Sequence, residues 1–255
     1  MITFHNRPMP TAPRSAAKSG ALAATLLFAL TGGTAMAQSL TVVPVNVELS
    51  PGQAAVSLTV VNQGSKDTSV QIRAYSWNQS GPGGADVLTE SKDMVSSPPV
   101  TTIAPAAAQV IRMVLKQPPK GQEATYRVLV DQIPGPAQPG TVQIALRLSI
   151  PVFAEPDARA TPRVKYHVER NGAEAYLVAM NEGGRHDTVR DITLKSSDGA
   201  IVKTENNASP YVLAGATRRW RIADAAHLPA AGSTLHLIAH ADSGAIDEQV
   251  PVQGS

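Results

Sequence analysis

Residues 125–156 read TYRVLVDQIPGPAQPGTVQIALRLSIPVFAEP. Two β-like runs flank a Pro/Gly-rich loop, and the second is long and regular. Val142, Ile144, Leu146, Leu148 and Ile150 stand at alternate positions. Side chains on a strand alternate with period two, so these five share one face. Gln143, Ala145, Arg147 and Ser149 share the other. Such a row suits a half-buried strand in the chain's own sandwich, and it equally suits a strand offered to another chain. The pattern leaves both readings open. The run exceeds the usual strand of about 5–6 residues.

The rest of the chain sets the same class. With 20 Pro, 19 Gly and frequent Val, composition favours many short strands over helices. Candidate strands are 40–49, 55–62, 69–78, 109–116, 126–133 and 141–153, separated by turns such as Ser50-Pro51-Gly52 and Gly81-Pro82-Gly83-Gly84. After the polar, proline-bracketed segment 154–162, strands resume at 163–170, 173–181, 188–195, 200–205, 211–222, 233–240 and 246–251. Asn171-Gly172 predicts a hairpin between two of them. Two sandwiches of about 100 residues each fit the length. The expected fold class is all-β, with residues 38–155 and 156–255 as two domains.

The start of the chain reads as an export leader, residues 1–37. Arg7, Arg14 and Lys18 precede the apolar run Ala21–Leu30, and Ala35-Met36-Ala37 fits a small-residue cleavage site. That apolar run is shorter than the roughly 20 residues a spanning helix needs. Neither membrane insertion nor a nucleic-acid surface is expected, since formal charge is only +2 with both signs interspersed.

Catalytic signals are missing. No cysteine is present, which excludes thiol catalysis and Cys-ligated zinc. No nucleophile elbow, phosphate loop or dinucleotide fingerprint occurs. Beyond the leader the histidines are His167, His186, His227, His236 and His240. The pair in LHLIAHAD, His236 and His240, lies on a strand-like run where residues four apart stand about 13 Å apart, too far to share one ion. HDTVRD, residues 186–191, reads as surface charge. No enzyme activity, metal or other cofactor is expected.

Taken in order, the motifs of the first half resemble the periplasmic pilus (fimbrial) chaperones of the chaperone–usher pathway. LTVVPVNVELSPG and AAVSLTVVNQGS resemble that family's first two strands, and RAYSWNQ its third. SSPPVTTIAPAAAQVIRMVL carries Pro98, Pro99, Ile103, Pro105, Gln109 and Arg112 at the family's spacing. TYRVLVDQIP resembles the F strand, and VQIALRLSIPVFAEP the G strand and hinge. The resemblance implies two immunoglobulin-like β-sandwich domains in a boomerang, acting in the periplasm on pilus subunits and an outer-membrane usher. It also implies that the G strand completes a subunit's unfinished sandwich by donor-strand complementation, with Val142, Ile144, Leu146, Leu148 and Ile150 filling its groove.

Two positions depart from the family pattern. Conventional members hold the subunit's terminal carboxylate with an Arg on the first strand and a Lys late in the G strand; here those places carry Asn46 and Pro151. Arg127, beside the donor strand, is the replacement candidate, with Arg112 and Arg147 in reserve, because a guanidinium fork suits a carboxylate. The hinge residues Gln132 and Glu155 also differ, and the whole is closer to the archaic (alternative) branch. The alternative class is a structural pilus subunit or an exported immunoglobulin-like adhesin component. A subunit lacks its own final strand, whereas here the first domain has one. Self-association of the free form through its exposed edge stays open on the residues alone.

Overall fold

The computed structural model describes residues 40–254 except 137–138, 141, 157–158, 206–208, 224 and 226–227. The expected leader, residues 1–37, and His227 lie outside the described residues.

The first sandwich is built from β1 (Leu40–Val43), β2 (Val47–Leu49), β3 (Ala55–Asn62), β4 (Thr68–Asn78), β5 (Val87–Glu90), β6 (Met94–Ser97), β7 (Val100–Ile103), β8 (Ala108–Leu115), β9 (Ala124–Ile133) and β10 (Arg147–Ala154). One sheet has the order β1-β3-β8-β6; the other runs β2-β10-β9-β4-β5, with β7 also on β4. Between them lies a core that includes Leu58, Ile72, Ile111, Met113, Val128 and Val152. The alternation of these strands is the cause: one side of each strand is apolar and closes on the facing sheet.

The second sandwich comprises β11 (Val164–Asn171), β12 (Glu174–Asn181), β13 (Asp187–Thr188), β14 (Arg190–Lys195), β15 (Ile201–Val202), β16 (Tyr211–Val212), β17 (Thr217–Arg221), β18 (Thr234–Ala241) and β19 (Gly244–Gly254). β19 pairs with β18 over most of its length and with β11 at its end, so it joins two layers around a core that includes Leu177, Trp220, Leu235 and Leu237. The hairpin at Asn171-Gly172 is present, with Gly172 at φ 58° where a side chain would be strained. His236 and His240 lie on β18, as the strand reading required, and meet Asp247 and Asp191 respectively.

Several strand expectations change: 188–195 is divided between β13 and β14, 200–205 shortens to β15, and three others bear on the first sheet or the seam. The run 40–49 is split in two: β1 belongs to one sheet and β2 to the other. Pro44 stands at the break, where it has no N–H to give a ladder and a fixed φ. Residues 211–222 are likewise two strands, interrupted at Ala214-Gly215, with Gly215 at φ 70°. Finally, the expected strand 141–153 is paired only from Arg147 onward.

Candidate functional site

β10 lies between β9 and β2 and treats its two edges unequally. Against β9 it pairs antiparallel along its whole length, Arg147 to Asp131 through Ala154 to Ala124. Against β2 it pairs parallel only at Val152, Phe153 and Ala154. The chain that leads into β2 turns away at Pro44 to join the other sheet, so no described strand covers the edge beside Arg147–Pro151.

The hydrogen-bond parity shows which groups face that edge. Gln132 donates its N–H to the Leu146 carbonyl at 2.9 Å, so even-numbered residues bond β9. Glu155 donates to the Leu49 carbonyl at 3.0 Å, which puts odd-numbered residues on the β2 side. Arg147 and Ser149 therefore present a free N–H and C=O to the open edge. Pro151 falls where its missing N–H costs no ladder bond, since its cross-strand partner Arg127 is a non-bonded pair. Upstream, residues 142–146 have left the ladder apart from Leu146, whose N–H reaches the Gln132 side-chain oxygen at 3.2 Å. β9 ends at Ile133, and Pro134 and Pro136 beyond it cannot supply backbone donors. Among the described residues, 142–145 are thus open on both edges, and the Gln143 amide reaches back to the Pro136 carbonyl at 3.0 Å.

Burial divides the apolar row along its length. Val142 is 91% exposed and Ile144 77%, whereas Ile150 is 3% exposed inside the first core. Leu146 and Leu148 are intermediate, packed against that core from its rim. Ile150 is therefore a residue of the chain's own sandwich, which takes it out of the row offered outward. It pairs with Val128 of β9, and its side chain is closed in by the facing sheet.

The three candidate cations lie in different places. Arg127 on β9 is half-buried, its guanidinium carbon 3.7 Å above the Trp77 ring and 5.4 Å from the Tyr211 ring centre. Burial lowers its pKa, partly offset by the field of Asp86; a guanidinium nonetheless stays charged. No carboxylate among the described residues forms an ion pair with it. Arg147 on β10 hydrogen-bonds Asp131, which also accepts from Arg73 at 2.6 Å. Arg112 is exposed on β8, in the opposite sheet, and is not brought to the donor edge.

The Asp131 cluster has a pH signature. Burial alone raises its carboxyl pKa, but the hydrogen bonds from Arg147 and Arg73 outweigh that and hold it below the usual carboxylate range. A depressed folded pKa stabilises above the unfolded pKa, and the contribution is lost as pH falls through the folded value. The stability difference between the protein and Asp131→Asn should therefore be about 1 kcal/mol at neutral pH and begin to shrink only as pH falls below about 4, toward the lower folded pKa. Chemical denaturation across pH 3–7 measures it; a difference independent of pH refutes the assignment.

A second set of functional-looking residues lies at the seam between the sandwiches. His186 and Asp187 are buried, at 6% and 3% exposure, which corrects their reading as surface charge. Glu123 on the connection into β9 accepts both the His186 backbone N–H (2.9 Å) and Nδ1–H (2.7 Å). The His186 ring stacks on Phe153 at 3.5 Å between centroids and 9° between planes. Arg185 joins Glu155 at 2.8 Å and Glu48 at 2.9 Å. Across the seam, Gln79 donates to the Tyr211 carbonyl and accepts from the Leu213 N–H. Gly84, at φ 76°, sits so close that a Cβ would stand 2.0 Å from the Thr217 carbonyl oxygen. Together these contacts hold the strand carrying Phe153, and hence β10, against the second sandwich.

Residues 39–160 match the family described as pili and flagellar-assembly chaperone, PapD N-terminal domain. No curated protein matches the sequence. Among solved structures, one similar chain comes from the CsuC–CsuE chaperone–tip adhesion subunit pre-assembly complex of the archaic chaperone–usher Csu pili of Acinetobacter baumannii. It is 22% identical with a TM-score of 0.62, covering 85% of this chain and 99% of that one. The E. coli chaperone DraB is 20% identical with a TM-score of 0.54, over 85% and 98% of the two chains. The Salmonella enterica complex of SafA pilin with the SafB chaperone gives 14% and 0.55, over 84% and 95%. At these identities the likeness is one of fold, and it extends through both sandwiches. Residues 39–160 are thus a PapD N-terminal domain of the pilus-assembly chaperone kind, and the chain as a whole carries the two-domain immunoglobulin-like fold of those chaperones.

Proposed function

We propose that this protein is a periplasmic chaperone that binds pilus subunits by strand donation and delivers them to an outer-membrane usher. In this reading residues 1–37 are removed on export, residues 38–155 hold the subunit, and residues 156–255 form the second domain. The observation that carries it is the segment 142–145: two exposed β-branched side chains on backbone that, among the described residues, is open at both edges. A strand open on both sides can be inserted between two strands of another sandwich. One open on a single side, like Arg147–Pro151, can only be extended by one. The partner therefore receives Val142 and Ile144 fully and Leu146 and Leu148 in part. The two absent cations at Asn46 and Pro151, and the likeness to the archaic Csu chaperone, support the archaic branch.

Arg127 remains the proposed anchor for the subunit's terminal carboxylate. A strand in the lane beside Arg147–Pro151 ends against Val47, at the level of Pro151, and Arg127 is cross-strand from Pro151. The test is co-expression with a pilus subunit that aggregates when made alone, which should yield a soluble 1:1 complex. Arg127→Ala should weaken that complex about tenfold or more, the loss expected for a charge-assisted hydrogen bond, and Arg127→Lys should restore part of it. Unchanged binding by Arg127→Ala assigns this residue to stacking on Trp77 alone.

A further inference from the structure

The face of the sheet that points away from the first core carries a charge pattern ending at the open edge. Arg73 on β4, Asp131 on β9 and Arg147 on β10 alternate in sign across three neighbouring strands. Asp131 is directly opposite Arg147 and opposite Gln71, with Arg73 on the diagonal. One carboxylate thus serves two guanidiniums, and the surplus cation is the one on the edge strand. The Arg147 side chain is 61% exposed, and its own N–H and C=O face the unpaired side. Asp131, by contrast, is largely covered. On the fourth strand position no described residue supplies a negative partner.

A strand that pairs with this edge places a side chain on the same face directly across from Arg147. Directly opposed side chains have Cβ atoms about 4.5–5.5 Å apart, close enough for opposite charges to attract and like charges to repel. We infer that the edge selects partner strands bearing an Asp or Glu at the position opposite Arg147, so that the sign alternation continues from the chaperone into the subunit. The inference rests on the strand-donation reading, because the partner is the strand that reading places there. It adds what that reading lacks, a rule for which subunit strands fit and in which register: the alternate apolar row is tolerant of a two-residue slip, while a single cation is not. This contact is distinct from terminal-carboxylate anchoring, since Arg147 lies toward the opposite end of the open edge from Pro151.

The test uses the purified full-length mature protein and three synthetic strand peptides with one alternating Val/Thr sequence. They differ only in carrying Glu, Ser or Lys at the central outward position. Fluorescence anisotropy at low salt is expected to show the Glu peptide binding about fivefold tighter than the Lys peptide, with Ser between. The preference should shrink as salt rises through 0.5 M. Arg147→Glu should invert the order. Should the Glu variant fail to fold beside Asp131, Arg147→Ser should flatten the order instead. Equal binding of all three peptides overturns the charge rule while leaving strand addition intact. Binding of none of them overturns strand addition at this edge and the charge rule with it.

Discussion

Ile144→Asp is expected to abolish subunit binding while leaving the unfolding midpoint unchanged. Ile144 is largely exposed in the free chain and makes no ladder bonds, so its replacement removes nothing from the first core. In a complex it would be buried. Losing a buried Ile side chain costs about 1.5–3 kcal/mol, and forcing a carboxylate into an apolar groove costs several more. At about 1.4 kcal/mol per decade, affinity should fall more than about a thousandfold. Ile150→Asp provides the contrast. It puts a charge into the sandwich's own core and should unfold the domain before binding can be measured. Leu146→Glu should show both effects in smaller measure, because Leu146 is on the rim. If Ile144→Asp lowers thermal stability as Ile150→Asp does, the exposed end of the row belongs to the chain's own fold.

That gradient was only partly legible in the sequence. Alternation reports which face a residue takes, and it put Leu146, Leu148 and Ile150 on the side that meets the core. It cannot report whether a neighbouring strand exists to cover that side. Here the covering is decided by Pro44, which sends β1 to the opposite sheet and leaves the lane beside Arg147–Pro151 empty. A reading of 40–49 as one strand hides this, because the flanking valines keep their period across the proline. Pro151 changed meaning in the same way. By sequence it marks a missing lysine; in the sheet it is a residue without a donor on an edge without a partner.

The seam was less legible still, for a different reason. Charged and polar residues in a short segment such as HDTVRD look solvated, and only their distant partners make burial tolerable. Glu123 and His186 are separated by 63 positions, and no local pattern links them. Arg127 is a middle case. Its strand and its outward face could be read directly, but Trp77 and Tyr211, the two rings that hold it, come from different sandwiches.

Glu123→Ala should be strongly destabilising. The Glu123 side chain is fully buried, and one of its oxygens accepts two donors from His186. A carboxylate oxygen accepts, so Nδ1 must carry the ring proton. Removing the acceptor strands both donors in a seam that water does not reach, each at about 1–3 kcal/mol. The expected loss of stability is about 3 kcal/mol, measured by chemical denaturation. Glu123→Gln keeps an oxygen for His186 and should cost about 1 kcal/mol. The two substitutions also differ in what they do to cooperativity. His186 stacks on Phe153, which leads directly into the pairing of β10 with β2, so the bond to Glu123 ties β10 and the second sandwich together. With that tie cut, calorimetry of Glu123→Ala should resolve two transitions where the unaltered protein and Glu123→Gln show one. A loss below about 0.5 kcal/mol, within the range of an ordinary surface change, would mean that Arg185 and its contacts to Glu48 and Glu155 hold the seam without Glu123.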